Sequence, residues 1–193
     1  MLFKLSAFFK FQPADDYGYL NIDCGQDRDY IAYDELTWRA DSMYIDARCG
    51  LALKIKDEDA FYPANTLRFF PDMNKNCYTV PVFINQKYLI RAGFYYDNYD
   101  RLHKPPVFDL QFDANKWTTV VTSLHKPVFH ETVVVAQKHN ISICVARIDG
   151  GGLPFISTIE VVQLIPGMYE NMGSGRALFK KHRMNFGSRV LVG

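Results

Sequence analysis

Apolar and polar positions alternate with a period of two through much of this chain, the spacing of half-buried strands rather than helices. Residues 87–96 show it well: Tyr88, Ile90, Ala92 and Phe94 share one face. In residues 107–112, Phe108, Leu110 and Phe112 point inward and Asp109 and Gln111 outward. Residues 19–24 place Leu20, Ile22 and Cys24 together. Further strand-like runs cover 77–83, 116–122, 131–136, 141–148 and 155–164, the last partly apolar on both faces. Turn chemistry separates them, at Pro105-Pro106, Lys126-Pro127 and Asp149-Gly150-Gly151-Gly152. No amphipathic helix exceeds about three turns. Many short strands with regular turn punctuation predict an all-β sandwich with few short helices, its edge loops free to bind.

Composition narrows this picture. A chain of 193 residues can fill one domain. Hydrophobic residues at 48% and charged residues at 22% describe a globular chain. Aromatics reach 15%, which suits strands and recognition surfaces. A net charge of +1 provides no field to attract nucleic acid, so no nucleic-acid partner is expected. Cys24, Cys49, Cys77 and Cys144 form no C-x-x-C pair, so no zinc site is expected. They are either buried thiols or one to two disulfides of a secreted protein, and every pairing stays open. Asn140-Ile141-Ser142 is an N-glycosylation sequon and favours the secretory setting. Residues 1–18 resemble a shortened signal peptide whose apolar core ends at Lys10. No apolar run approaches the roughly 18 residues of a membrane-spanning helix.

Catalysis finds no support. His103, His125, His130, His139 and His182 adopt no metal-ligand spacing. His130 and Glu131 are strand neighbours and face opposite ways. No G-x-S-x-G elbow is present. Gly150-Gly151-Gly152 lacks the Lys-Ser/Thr of a phosphate loop and reads as a tight connection needing positive φ. The expectation is a non-enzyme without metal or cofactor. Recognition is better supported by Phe94-Tyr95-Tyr96-Asp97-Asn98-Tyr99-Asp100 at a strand end. Aromatic rings stack on the apolar faces of sugars, and Asp and Asn bond their hydroxyls. Phe94 and Tyr96 read as core, leaving Tyr95, Tyr99 and Asp100 as ligand candidates.

Seven ordered segments carry a resemblance. They are Leu20-Asn21-Ile22-Asp23-Cys24-Gly25, Leu67-Arg68-Phe69-Phe70-Pro71, Asn76-Cys77-Tyr78, Lys87-Tyr88-Leu89-Ile90-Arg91-Ala92, Phe94 through Asp100, Phe108-Asp109-Leu110 and Pro154-Phe155-Ile156-Ser157. In order and spacing they resemble the malectin-like domain of plant receptor-like kinases, above all those with leucine-rich repeats. The resemblance implies a malectin-type, jelly-roll-like β-sandwich in an extracellular setting, with membrane association only through further parts of a parent receptor. It divides the chain into an N-terminal segment (1–18), a malectin-like module (19–166) and a linker with the opening strand of a second module (167–193). Arg183-Met184-Asn185-Phe186-Gly187 resembles that opening strand. The chain then corresponds to a receptor truncated after its first module. Malectin itself implies a glucose-type sugar site on the loops at one end. Trp38, Tyr95, Tyr99, Asp100 and Asp149 would carry it here. The receptor relatives imply the alternative, a peptide ligand or a co-receptor, and a truncated product without independent function is the remaining reading.

Overall fold

The computed structural model describes residues 18–33, 35–46, 49–55, 63, 65–173 and 177–179. The leader-like residues 1–17, the basic residues after Phe179 and the Arg183–Gly187 motif lie outside them. The described residues form fourteen strands in order: β1 (Tyr19–Asp23), β2 (Tyr30–Ile31), β3 (Thr37–Ala40), β4 (Leu51–Lys54), β5 (Thr66–Phe69), β6 (Lys75–Pro81), β7 (Lys87–Phe94), β8 (Val107–Phe112), β9 (Asn115–Val121), β10 (Val128–Val135), β11 (Asn140–Arg147), β12 (Phe155–Ile156), β13 (Thr158–Gln163) and β14 (Ala177–Phe179). Among the described residues the one helical element is a single 3-10 turn, Asp41–Met43.

The strands form a seven-stranded sheet (β14-β10-β7-β13-β1-β3-β2), a four-stranded sheet (β6-β11-β8-β9) and a three-stranded sheet (β12-β5-β4). The all-β expectation therefore holds. The core lies between the sheets, as the alternation requires. Tyr88, Ile90, Ala92 and Phe94 of β7 are buried, as are Phe108 and Leu110 of β8 and Ile141, Ile143 and Val145 of β11. Phe94 meets Phe108 across the sandwich at 5.5 Å between ring centroids. The run 155–164 is not one strand. It changes sheets at Ser157: β12 pairs with β5, and β13 pairs with β1 and β7. Ser157 makes the switch by bonding on three sides. Its N–H donates to the Gly93 carbonyl at 2.9 Å, its carbonyl accepts from Cys24 N–H at 2.8 Å, and its Oγ accepts from Tyr95 N–H at 3.1 Å.

One buried ion pair joins all three sheets. Asp41, which follows β3, has no exposed surface. Arg68 of β5 donates to it twice, Nε to Oδ2 at 2.6 Å and Nη2 to Oδ1 at 2.7 Å. The Tyr78 hydroxyl of β6 and the Gly25 N–H after β1 also donate to Oδ2, at 2.9 and 3.0 Å. A carboxylate out of water needs such a set of donors. The hydrogen bonds to Asp41 hold the Arg68 guanidinium above its ordinary range.

Asp23, also fully buried, is differently served. It accepts from the Tyr30 hydroxyl at 2.6 Å and from the Thr66 hydroxyl, and among the described residues no cation pairs with it. Burial pushes its pKa up to about 7; the bonds from Thr66 and Tyr30 oppose the rise, and the neighbouring Asp41 charge adds to it. A carboxyl whose folded pKa lies above its unfolded value of about 3.9 stabilises most below that lower value. That stability is lost as pH climbs through the folded pKa. Between about pH 5 and about pH 8 the wild type should therefore lose melting temperature relative to Asp23→Asn, which stays neutral throughout. Paired thermal melts across that range check this, and a constant gap between the two proteins would refute it.

The last described strand, β14, lies on the edge of the large sheet, antiparallel to β10. Phe179 approaches Trp117 of β9 at 6.3 Å, so this edge reaches towards the four-stranded sheet.

Candidate recognition site

Three connections meet at one end of the sandwich: β5–β6, β7–β8 and β11–β12. They enclose a cleft of about 510 Å³ lined mainly by Asn74, Asp100, Lys104, Arg147, Asp149 and the glycine run 150–152, with Leu102 and Leu153 as apolar walls.

The floor is fixed by backbone bonding. Arg147 N–H donates to the Asn74 carbonyl at 2.8 Å, and Val107 N–H donates to the Gly151 carbonyl at 2.7 Å. The Arg147 guanidinium turns inward, donating from Nη2 to the carbonyls of Phe70 at 3.0 Å and Pro71. The glycine lip is required by geometry. Gly150 and Gly152 have φ of 71° and 84°. At Gly151 a Cβ would sit 2.0 Å from the Val107 carbonyl oxygen. The tight connection expected from the sequence is what forms, and it leaves peptide backbone facing the cleft.

The β7–β8 loop owes its shape to four non-glycine residues with positive φ, namely Asp97, Asn98, Arg101 and His103. Asn and Asp tolerate that region better than most residues. Side chains then lock the loop. His103 N–H donates to Asn98 Oδ1 at 2.8 Å. Asp100 Oδ1 accepts from the Tyr96 hydroxyl at 2.5 Å and from Leu102 N–H at 3.0 Å. Burial, then the bond to Asp100, pushes the Tyr96 phenol up to about 12, so it stays a proton donor at any physiological pH.

Of the residues expected to bind ligand, the cleft brings together Asp100 and Asp149. The three aromatics expected as a stacking surface do not line this cleft. Trp38 lies on β3 with 5% of its surface exposed, and Tyr95 is 7% exposed. Tyr99 packs inward against Tyr96 (5.4 Å), Phe69 (5.4 Å) and Phe155 (5.5 Å), and its buried hydroxyl has no hydrogen-bond partner among the described residues. These rings pin the loop from beneath. Asn140, the sequon residue, is exposed at the start of β11, at the other end of that strand from Arg147. Sequence reading passed over Asn74, Lys104 and Arg147. Nothing in their local pattern distinguishes them, because only the meeting of three loops makes them neighbours.

Comparison with known proteins agrees with this fold. The profile of the malectin-like domain matches residues 22–192. The chain belongs to the malectin-like family. Among its relatives in Arabidopsis thaliana, "Uncharacterized protein At1g24485" is 35% identical over 177 residues, covering 90% of this chain and 35% of that protein. "Probable LRR receptor-like serine/threonine-protein kinase At1g51810" is 34% identical over 183 residues, covering 90% of this chain and 20% of the kinase. The malectin-like chain thus spans about a fifth to a third of the length of these relatives. In three dimensions it matches the ectodomain of ANX2 from Arabidopsis thaliana with a TM-score of 0.68 at 18% identity, over 76% of this chain and 42% of that one. The plant receptor-like kinase FER gives 0.69 at 20% identity, over 83% and 46%. At these identities the structural matches speak for the malectin-like fold alone.

Proposed function

We propose that this malectin-like chain is a non-catalytic, extracellular recognition domain of receptor-kinase type, and that its end cleft takes an extended peptide segment of a protein ligand or co-receptor. The observation that carries this reading is the cleft's lining. It offers glycine backbone, two carboxylates, a lysine and aliphatic walls, and no aromatic face. Peptides are bound through main-chain bonds and a few charged or apolar pockets, whereas a sugar ring needs a flat apolar surface to stack upon. A structure of FER with the plant peptide RALF23 and LLG2 supports a peptide partner by analogy of fold. The Cys77–Cys144 disulfide supports an oxidising, extracellular compartment. No helix among the described residues is long and apolar enough to cross a membrane. Membrane attachment would come from the rest of a parent receptor.

The carbohydrate reading keeps one specific support, since Asn74, Asp100 and Asp149 have the chemistry that sugar hydroxyls need. One experiment separates the two. Panning a random peptide library on the secreted chain should enrich binders, while an array of glucose and cell-wall oligosaccharides stays flat. Asp149 and Lys104 are exposed, so Asp149→Ala and Lys104→Glu should fold normally. Each should weaken peptide binding by up to about fivefold, the range that partly exposed charges supply. Oligosaccharide binding that disappears in Asp149→Ala would replace the peptide reading with the sugar one.

A further inference from the structure

We infer that Asn140 is an acceptor for an N-linked glycan, and that it accepts the sugar only before β11 closes against β6. Two sets of contacts support this. In the folded chain Asn140 is exposed, so a glycan there costs no burial. The residues that a transferase must read beside it are held in the sheet: Ile141 is buried and Ser142 is half-buried. Ile141 is 1% exposed and sits in the core. Ser142 N–H donates to Asp113 Oδ1 at 2.9 Å, and Ser142 Oγ lies 3.2 Å from Cys144 Sγ. Asn140 itself is paired with Pro81, and the disulfide closes the same strand pair at Cys77 and Cys144. The acceptor tripeptide is therefore free to enter a transferase in the unpaired chain and fixed by strand pairing in the finished sheet, while the product remains compatible with the sheet.

The position also separates the glycan from the cleft. β11 runs from Asn140 to Arg147, eight residues. At about 3.3 Å per residue this places the sugar roughly 23 Å from the cleft floor. The glycan would cover the far end of the sandwich and leave the loops open. In the transfer, the Asn140 amide nitrogen bonds to the anomeric carbon of a lipid-pyrophosphate-linked oligosaccharide. The anomeric C–O bond breaks, the lipid pyrophosphate leaves with that electron pair, and the amide proton passes to a base of the transferase.

The test uses the full chain secreted from a eukaryotic cell behind an added leader, so it does not depend on the peptide reading. Amidase release in heavy-oxygen water should convert position 140 to labelled aspartate, read by mass spectrometry. Asn140→Gln and Ser142→Ala should lack the label, and Ser142→Thr should retain it. In a second arm, chain made without sugar is offered to purified oligosaccharyltransferase with lipid-linked oligosaccharide. The reduced, unfolded chain should be modified and the folded, oxidised chain should not. A bare Asn140 in the secreted chain would overturn the acceptor assignment, and equal modification of folded and unfolded chain would overturn the order of events.

Discussion

Arg68→Met is expected to destabilise the folded chain by about 3–5 kcal/mol, the usual cost of leaving one member of a buried ion pair without its partner. Asp41 has no exposed surface and cannot recover the lost charge by reaching water. The Gly25 N–H and Tyr78 hydroxyl would still donate to it, but two neutral donors do not replace a bidentate guanidinium. The effect should be global because the pair links β5, the β3 end, β1 and β6, which belong to all three sheets. Urea unfolding of the single variants Arg68→Met and Asp41→Leu and of the double variant closes a cycle. The double variant should cost less than the sum of the singles, since removing both charges abolishes the desolvation penalty that each single variant leaves behind. Additive costs would show that the two charges are not coupled in the folded protein. A cost below about 1 kcal/mol for Arg68→Met would assign the pair to the solvated surface.

This pair also marks the limit of what the chain's pattern reveals. β7 and β8 were legible because most of their length buries alternate residues, whereas β10 and β11 bury consecutive residues on both faces and were legible as apolar, β-branched runs. β4 is mostly exposed and therefore has no alternation to read. β2 has two residues, too few for any period. β3 and β5 are held by the contacts of Asp41 and Arg68, which are distant in sequence. The break at Ser157 was invisible for a different reason. A strand that switches sheets keeps its extended backbone, and only its partners change. At the cleft, the glycine lip was legible from turn chemistry and Asp149 came with it. Tyr95 and Tyr99 have the composition of a stacking platform, but positive φ at Asp97 and Asn98 turns the chain so that Tyr99 returns to the core. Residue types alone carry no information about that reversal.

Replacing Cys77 and Cys144 together with alanine is expected to cost about 4 kcal/mol, the chain-entropy value for a loop closed over a separation of 67 residues. The pairing was open at the level of sequence and follows from register. Cys77 and Cys144 stand directly opposite each other on β6 and β11. Cys24 and Cys49 are left as free thiols. Burial first, and then the Asp41 charge, hold the Cys24 thiol well above its ordinary range, so it should resist alkylation until the chain unfolds. Denatured, unreduced protein from an oxidising compartment should therefore bind two equivalents of thiol reagent and not four. Reductant should lower the urea midpoint of the wild type and leave that of the double-alanine variant unchanged. Four reactive thiols in the unreduced protein would remove the bridge from the fold. Cys77 adjoins Tyr78, whose hydroxyl is bonded to Asp41. Loosening β6 by removing the bridge should weaken that bond as well. The disulfide and ion-pair variants should then combine non-additively, because a single strand carries both.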